Sequence, residues 1–138
     1  MFQKILIGFD GSPQAEKAVE AALSLARYLD STVMVFAVAR PPEPAMQVEV
    51  SAALDDAREH FEADFTRIVK SAQSADIDIE TEIAVGHPAE QIIHKAETWK
   101  ADLVILGRRG KSTFQKWIIG SISEKVLRYA HCPVMVVH

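Results

Sequence analysis

The sequence has a single cysteine, Cys132, among its 138 residues. One cysteine can form no internal disulfide and supplies no cysteine-based zinc site, so the fold must depend on packing. The five histidines do not have the spacing of a metal-binding motif such as H-E-x-x-H, and we interpret them as structural or solvated. The sequence therefore predicts no catalytic or structural metal held by protein side chains.

Long apolar runs are also missing. No stretch approaches the roughly 20 apolar residues that span a bilayer, and the first residues lack the basic start and longer apolar stretch of a signal peptide. Basic residues are not in excess, because 15 Lys and Arg stand against 19 Asp and Glu, a formal net charge of -4. A general nucleic-acid or membrane-surface role needs a positive field. We therefore expect a cytoplasmic protein with no nucleic-acid partner and no membrane insertion.

The sequence is rich in short apolar runs that alternate with helical periodicity. Hydrophobic residues make up 49% of the chain, and its length suits a single domain spanning residues 1–138. The element order βαβαβαβαβ predicts an α/β fold with an open five-stranded parallel sheet, strand order 3-2-1-4-5, and helices on both faces, in the Rossmann-like manner. The runs interpreted as strands are 5–9, 33–38, 77–85, 102–106 and 134–137.

Open parallel sheets bind ligands beyond the carboxyl ends of their strands, where the winding direction reverses. In the predicted order, strands one and four are neighbours at that point, and the loops 8–12 and 107–112 follow them. Asp10 ends strand one there. Asp before Gly is also a common turn pair, so Asp10 could serve the turn alone. We favour a ligand contact because of its position at the predicted crevice.

The segment Gly110-Lys111-Ser112 looks like the end of a Walker A motif, G-x-x-x-x-G-K-[ST]. That motif would need glycine at position 105, where this chain has Ile105 inside an apolar run. The loop is therefore too short to wrap a phosphate in that way. We do not expect a P-loop enzyme.

A longer motif fits the same region. Gly107, Gly110, Gly120 and Ser121 form G-x2-G-x9-G-[ST]. Glycine at the first two positions lets the backbone take left-handed angles and approach a ligand closely. Residues 120–123 should begin the last helix, where free N–H groups and the helix dipole favour an anion. The basic side chains of the loop either supply further charge or point into solvent: Arg108, Arg109 and Lys111.

With this motif the sequence resembles the ATP-binding members of the universal stress protein family. The resemblance covers the whole chain, including residues 5–12, the turn 86–88, the helix start 120–126 and the ending 132–137. It implies an adenine nucleotide alpha hydrolase-like fold that binds ATP, together with Mg²⁺. By resemblance, Asp10 and the backbone near Val38 hold ribose and adenine, and the motif residues hold the phosphates. The candidate binding residues are Gly8, Phe9, Asp10, Val38, Gly107, Arg108, Gly110, Gly120, Ser121, Ile122 and Ser123.

No residue pattern assigns a catalytic role, because no general base accompanies a candidate nucleophile. We therefore expect a nucleotide-dependent regulatory or stress-response protein, with at most weak ATP hydrolysis. Two alternatives stay open: a slow ATP-hydrolysing or transferring enzyme of the same fold, and an interaction scaffold that binds no nucleotide. The apolar strand Val134–Val137 should lie at a sheet edge and invite pairing. Together with the resemblance, this predicts a homodimer formed through that strand.

Overall fold

The structure, a computed structural model, describes residues 1–41, 47–108 and 120–138, with only the backbone at positions 47 and 48. Within these ranges the chain forms five strands and four helices in strict alternation. The strands are β1 (Lys4–Gly8), β2 (Thr32–Ala39), β3 (Ile79–Val85), β4 (Leu103–Gly107) and β5 (Val134–Val137). The helices are α1 (Pro13–Leu29), α2 (Gln47–Ser74), α3 (Pro88–Trp99) and α4 (Ser121–Tyr129).

The strands form one sheet in the order β3-β2-β1-β4-β5, and every neighbouring pair is parallel. The predicted fold class and strand order are confirmed. The chain winds outwards from β1 to β3, then crosses to β4 on the other side of β1 and ends at β5. The winding direction therefore reverses between β1 and β4, as the sequence predicted.

The sheet is buried on both faces by helices. Ile5 and Ile7 of β1 pack into the layer formed with α1 and α2, whereas Leu6 faces α3 and α4. All three are fully buried, which explains why β1 is an unbroken apolar run rather than an alternating one. The long helix α2 turns one face to the sheet, with Ala57, Phe61, Ile68 and Ala72 buried and Leu54 and Phe65 half-buried.

The start of α1 matches its sequence signal. Ser12 is the N-cap, and its Oγ accepts a hydrogen bond from the Ala15 amide at 3.1 Å. Pro13 follows at the first helical position, where the missing N–H costs nothing. The helix ends at Leu29, and its C-cap, Asp30, adopts a left-handed conformation.

One predicted strand boundary differs from the structure. β3 begins at Ile79 rather than Ile77, because the Ile77 amide bonds back to the Ala72 carbonyl at the end of α2. The chain leaves β2 after Ala39, and residues 42–46 lie outside the described residues. Cys132 is half-buried; desolvation, and then the charge of Asp102, raise the pKa of its thiol. In the described part of the chain, no helix is long and apolar enough to span a membrane.

The start of β1 is tied to β4 by one carboxylate. Asp102 Oδ2 accepts the Gln3 amide at 2.9 Å, and Oδ1 accepts the Lys4 amide at 2.9 Å. The Asp102 amide in turn donates to the Lys4 carbonyl at 2.9 Å. These bonds set β1 against β4 at the end of the sheet opposite to the predicted site.

Replacing this carboxylate should destabilise the fold. We expect Asp102→Ala to lower the free energy of unfolding by about 2 kcal/mol, because two hydrogen bonds to a charged acceptor are lost. Urea unfolding measures the change. The matched control is Asp56→Ala on the exposed side of α2, which should stay within about 0.5 kcal/mol of wild type. Equal unfolding midpoints for the two variants would contradict this role of Asp102.

Candidate nucleotide site

A cavity of about 270 Å³ opens at the carboxyl ends of β1, β2 and β4, beside the first turn of α4. We call it the strand-end cavity. Nine of the eleven predicted binding residues line it: Gly8, Phe9, Asp10, Val38, Gly107, Gly120, Ser121, Ile122 and Ser123. Arg108 is not among the lining residues, and Gly110 lies outside the described residues. The other residues that line it are Ser12, Ala15, Phe36, Arg40, Pro88, Ile92 and Leu106.

The turn between β1 and α1 forms one wall. Asp10 Oδ1 accepts a hydrogen bond from the Ser12 amide at 3.0 Å, and Gly11 between them has a φ of 80°, which favours glycine. Asp10 therefore does serve the turn. It also lines the strand-end cavity, so its structural role and its predicted contact with a ligand are compatible.

The edge of β2 supplies backbone groups to the same cavity. The Phe36 carbonyl accepts from the Phe9 amide on the β1 side, and the Ala39 carbonyl accepts from the Gly86 amide on the β3 side. Because hydrogen-bonding direction alternates along a strand, Val38 directs its N–H and C=O towards β1. The β1–β2 ladder ends at the pair Gly8 and Phe36. The Val38 donor and acceptor therefore face the strand-end cavity, which suits the backbone contact predicted there.

The first turn of α4 supplies amide donors. Gly120 is the N-cap and has no side chain that could compete for them. Its carbonyl accepts the Glu124 amide at 2.9 Å, which closes the first turn. The amides of residues 121–123 precede the first intrahelical donor, and the helix dipole adds a partial positive charge there. Ser121, Ile122 and Ser123 all line the strand-end cavity, so this helix end fits an anionic group.

Gly107 is required for a reason that the sequence did not reveal. A Cβ on Gly107 would lie 2.4 Å from the backbone carbonyl carbon and oxygen of Gln14, in the first turn of α1. Its φ is not in the left-handed region that we expected. The glycine therefore allows α1 to pack against the end of β4, and that packing is part of the wall of the strand-end cavity.

Arg108 extends away from the strand-end cavity. Its amide donates to the Val137 carbonyl at 2.8 Å, and its Nη1 lies 3.1 Å from His138 Nδ1. The residue thus continues the pairing of β4 with β5. The two other basic side chains proposed for this loop, Arg109 and Lys111, lie outside the described residues.

An ion pair joins the helices behind the strand-end cavity. Lys125 Nζ lies 3.1 Å from Glu90 Oε1, which links α4 to the first turn of α3. The hydrogen bond from Lys125 lowers the pKa of Glu90, and the charge of His87 adds to this effect. A lowered pKa means that the pair stabilises the fold above the ordinary glutamate value of 4.5 and loses that effect as the pH falls further.

Sequence reasoning missed several of the lining residues. Phe36 lies two residues before Val38 on β2, and that period of two would have identified it once Val38 was assigned; Arg40 lies two residues after Val38, just beyond the strand. Pro88 and Ile92 come from α3, whose approach depends on packing between helices that the sequence pattern does not specify. Within the described residues, no group of three His, Cys, Asp or Glu side chains is arranged to hold a metal.

The two site glycines on strands should respond differently to alanine. We expect Gly107→Ala to lower the free energy of unfolding by about 2–3 kcal/mol, because the new Cβ meets backbone atoms of α1. Gly8→Ala serves as the matched comparison. Its Cβ would meet Leu106 Cδ2 at 2.6 Å and Ile92 Cδ1 at 3.0 Å, which are ends of side chains that can move. Thermal or urea unfolding compares them, and a larger cost at Gly8 would contradict this account.

The whole sequence matches the model of one protein family. The sequence model of the universal stress protein family matches residues 1–138. The universal stress protein MJ0531 of Methanocaldococcus jannaschii is 33% identical over 140 aligned residues, which cover 99% of this chain and 82% of that protein.

Solved structures show the same fold. The structure of the hypothetical protein MJ0577 superposes with a TM-score of 0.82 at 27% identity, covering 99% of this chain and 96% of that one. A universal stress protein in complex with cAMP superposes with a TM-score of 0.75 at 24% identity, covering 99% of this chain and 97% of that one.

Proposed function

Because this chain belongs to the universal stress protein family, we propose that it binds ATP in the strand-end cavity and acts as a nucleotide-dependent regulatory protein of the cytoplasm. One structural neighbour of the same fold is in complex with cAMP, which is also an adenine nucleotide. The observation that carries the proposal is the convergence of nine predicted residues on one cavity beside the start of α4. That cavity has both a backbone edge for a base and amide donors for phosphate.

The proposed arrangement of the ligand follows the chemistry of the walls. The base lies at the β2 end, against the Val38 backbone edge and the apolar side chains of Phe36 and Ile92. Asp10 lies at the middle, where its carboxylate suits the ribose hydroxyls. The phosphates lie at the β4 end, within reach of the amides of residues 121–123 at the positive end of α4.

We further propose that Mg²⁺ enters with the phosphates of the nucleotide. Asp10 is the one carboxylate among the described residues that line the strand-end cavity, and its Oδ1 accepts the Ser12 amide. When bound, the ion would neutralise part of the phosphate charge.

The proposed site favours binding of ATP over its turnover, because hydrolysis needs a group that positions and deprotonates water. Slow hydrolysis and a scaffold without nucleotide are therefore the outcomes against which the proposal is tested.

Binding can be tested by removing one amide. Ser121 is the first residue of α4, and the preceding Gly120 has φ −59° and ψ 153°, which a following proline tolerates. The fold already begins α1 and α3 with proline at this position. We expect Ser121→Pro to weaken binding of Mg²⁺–ATP about tenfold relative to Ser121→Ala, because only the proline variant also loses a charge-assisted hydrogen bond. Isothermal titration calorimetry measures both.

Two results would overturn parts of this proposal. If wild-type protein shows no heat of binding and releases no nucleotide on denaturation, ATP binding is wrong and the scaffold interpretation takes its place. If the wild-type protein binds Mg²⁺–ATP but Ser121→Pro and Ser121→Ala bind it with the same affinity as each other, the phosphates do not lie at α4. A metal-dependent release of phosphate that is lost in Ser121→Pro would favour the enzyme.

We also propose a homodimer formed through β5. In the described part of the chain this strand pairs with β4 alone, and its odd-numbered residues make those bonds, as the Pro133 and Val137 carbonyls show. Val134 and Val136 therefore direct their backbone groups outwards, along the sheet edge. Such an edge is a template for a second strand.

The edge can be blocked without breaking the ladder to β4. Val136→Pro removes one outward N–H, and proline is accepted on edge strands. Val136→Ala is the control, because it loses side-chain packing and keeps the N–H. In sedimentation velocity over a concentration series, we expect wild type and Val136→Ala to dimerise and Val136→Pro to shift towards monomer. A monomeric wild type would remove the proposal.

A further inference from the structure

The strand-end cavity has little side-chain charge. Among the described residues that line it, Asp10 and Arg40 are the only charged ones. Asp10 is held by the turn before α1, whereas Arg40 follows directly after β2 and is exposed. None of the ion pairs formed within the described ranges involves Arg40. The Arg40 guanidinium therefore borders the cavity without a carboxylate partner in the described ranges.

The position of Arg40 directly after β2 sets the part of the cavity that it can reach. Side chains two residues apart lie on the same face of a strand. Phe36 and Val38 therefore lie on the same face of β2, which packs against α3. Arg40 comes two residues later, directly after the strand, and all three residues line the strand-end cavity. Around them the wall is apolar, because Pro88 and Ile92 of α3 complete it. This end of the cavity suits a flat, weakly polar ring rather than a phosphate.

The amide donors lie on the other side of β1. Gly107 ends β4, and the first turn of α4 follows from that side of the sheet. β2 and β4 are separated by two strand spacings, about 10 Å in total. Arg40 and the amides of residues 121–123 are thus at opposite ends of the cavity, and one bound nucleotide would contact them with different parts.

We propose that Arg40 covers the solvent-exposed face of the nucleobase, stacking its guanidinium on the ring opposite the apolar wall of Phe36 and Ile92. This inference rests on the proposed binding of a nucleotide and specifies one of its contacts. The guanidinium group is planar, weakly hydrated and able to stack on aromatic rings, so it can close an open apolar slot without losing its charge to a desolvated site. Arg40 then contributes to affinity through the base and not through the phosphates.

The experiment compares two ligands that share the base. Binding of adenosine and of Mg²⁺–ATP is measured for wild type, Arg40→Met and Arg27→Met. Arg27 is exposed in the last turn of α1, a helix of 17 residues or about 25 Å whose first turn borders the cavity. Its substitution therefore changes the net charge equally at a distant position. We expect Arg40→Met to weaken both ligands by a similar factor, about two- to fivefold, and Arg27→Met to change neither.

A third variant distinguishes stacking from charge. Arg40→Tyr keeps a flat ring and removes the positive charge, so it should restore most of the adenosine affinity that Arg40→Met loses. A contact with phosphate predicts a different pattern: a loss for ATP alone, reduced by added salt, with no recovery in Arg40→Tyr. That pattern, or equal affinities for Arg40→Met and wild type, would overturn the assignment.

Failure of the broader proposal has its own signature. If wild type binds neither adenosine nor ATP, nucleotide binding itself is wrong, and the Arg40 contact fails with it. If wild type binds both ligands and Arg40→Met binds them equally well, the nucleotide proposal stands and only the Arg40 contact is wrong. Circular dichroism and unfolding midpoints equal to wild type show that each variant is folded, which is expected because Arg40 is exposed.

Discussion

The central strand β1 ends before its neighbour does, and the site depends on this difference. Gly8 pairs with Phe36, but β2 continues through Ala39 while the chain after Gly8 turns away into α1. The sheet therefore has a gap between β2 and β4 at its carboxyl end. The turn that leaves the gap is fixed by Asp10 and Ser12, each of which bonds to a nearby amide. The shape of the cavity and its hydrogen-bonding groups therefore follow from the position at which β1 ends.

Helix termini give this gap its electrostatic character. α1, α3 and α4 all begin near it, and each start carries partial positive charge from unpaired amides. Ser12 satisfies one amide of α1 with its own side chain. The N-cap of α4 is a glycine, and the imidazole of His87, the N-cap of α3, does not bond to its helix. The two helices on the α3–α4 face therefore keep donors for an external group, on a chain whose net charge is negative.

Much of this fold follows from local sequence patterns. The unbroken apolar runs mark strands buried on both faces. Their alternation with helices predicts a doubly wound parallel sheet. The start of α4 at Ser121 was predictable because the glycine and serine signal is local. The predicted start of β3 was wrong because the end of α2 competes with the strand there. The Ile77 amide bonds to the Ala72 carbonyl instead of joining β3. Local propensity does not resolve that competition.

Features that depend on register could not be predicted in the same way. Asp102 bonds to amides nearly a hundred positions away, and no pattern around it marks that role. Arg108 was among the candidate binding residues, and its backbone continues the β4–β5 ladder, which no local pattern indicates. Arg40 was not among the candidate binding residues, because it stands beside Pro41 and Pro42 and belongs to no binding motif. Each case required knowing which strands are neighbours and where each one ends.

Gly107 shows what a motif residue does and does not indicate about function. Its lack of a Cβ is required by the backbone of Gln14, so a protein of this fold that binds nothing would still need glycine there if α1 packed in the same way. A spacing motif that includes this position therefore reports packing as well as ligand binding. Gly120 carries different information, because a serine or aspartate at an N-cap would stabilise α4 by roughly a few tenths of a kcal/mol more than glycine does in the absence of a ligand. An N-cap that gives up this local stabilisation, next to an open cavity, is the stronger indication that the amides of α4 bind an external group.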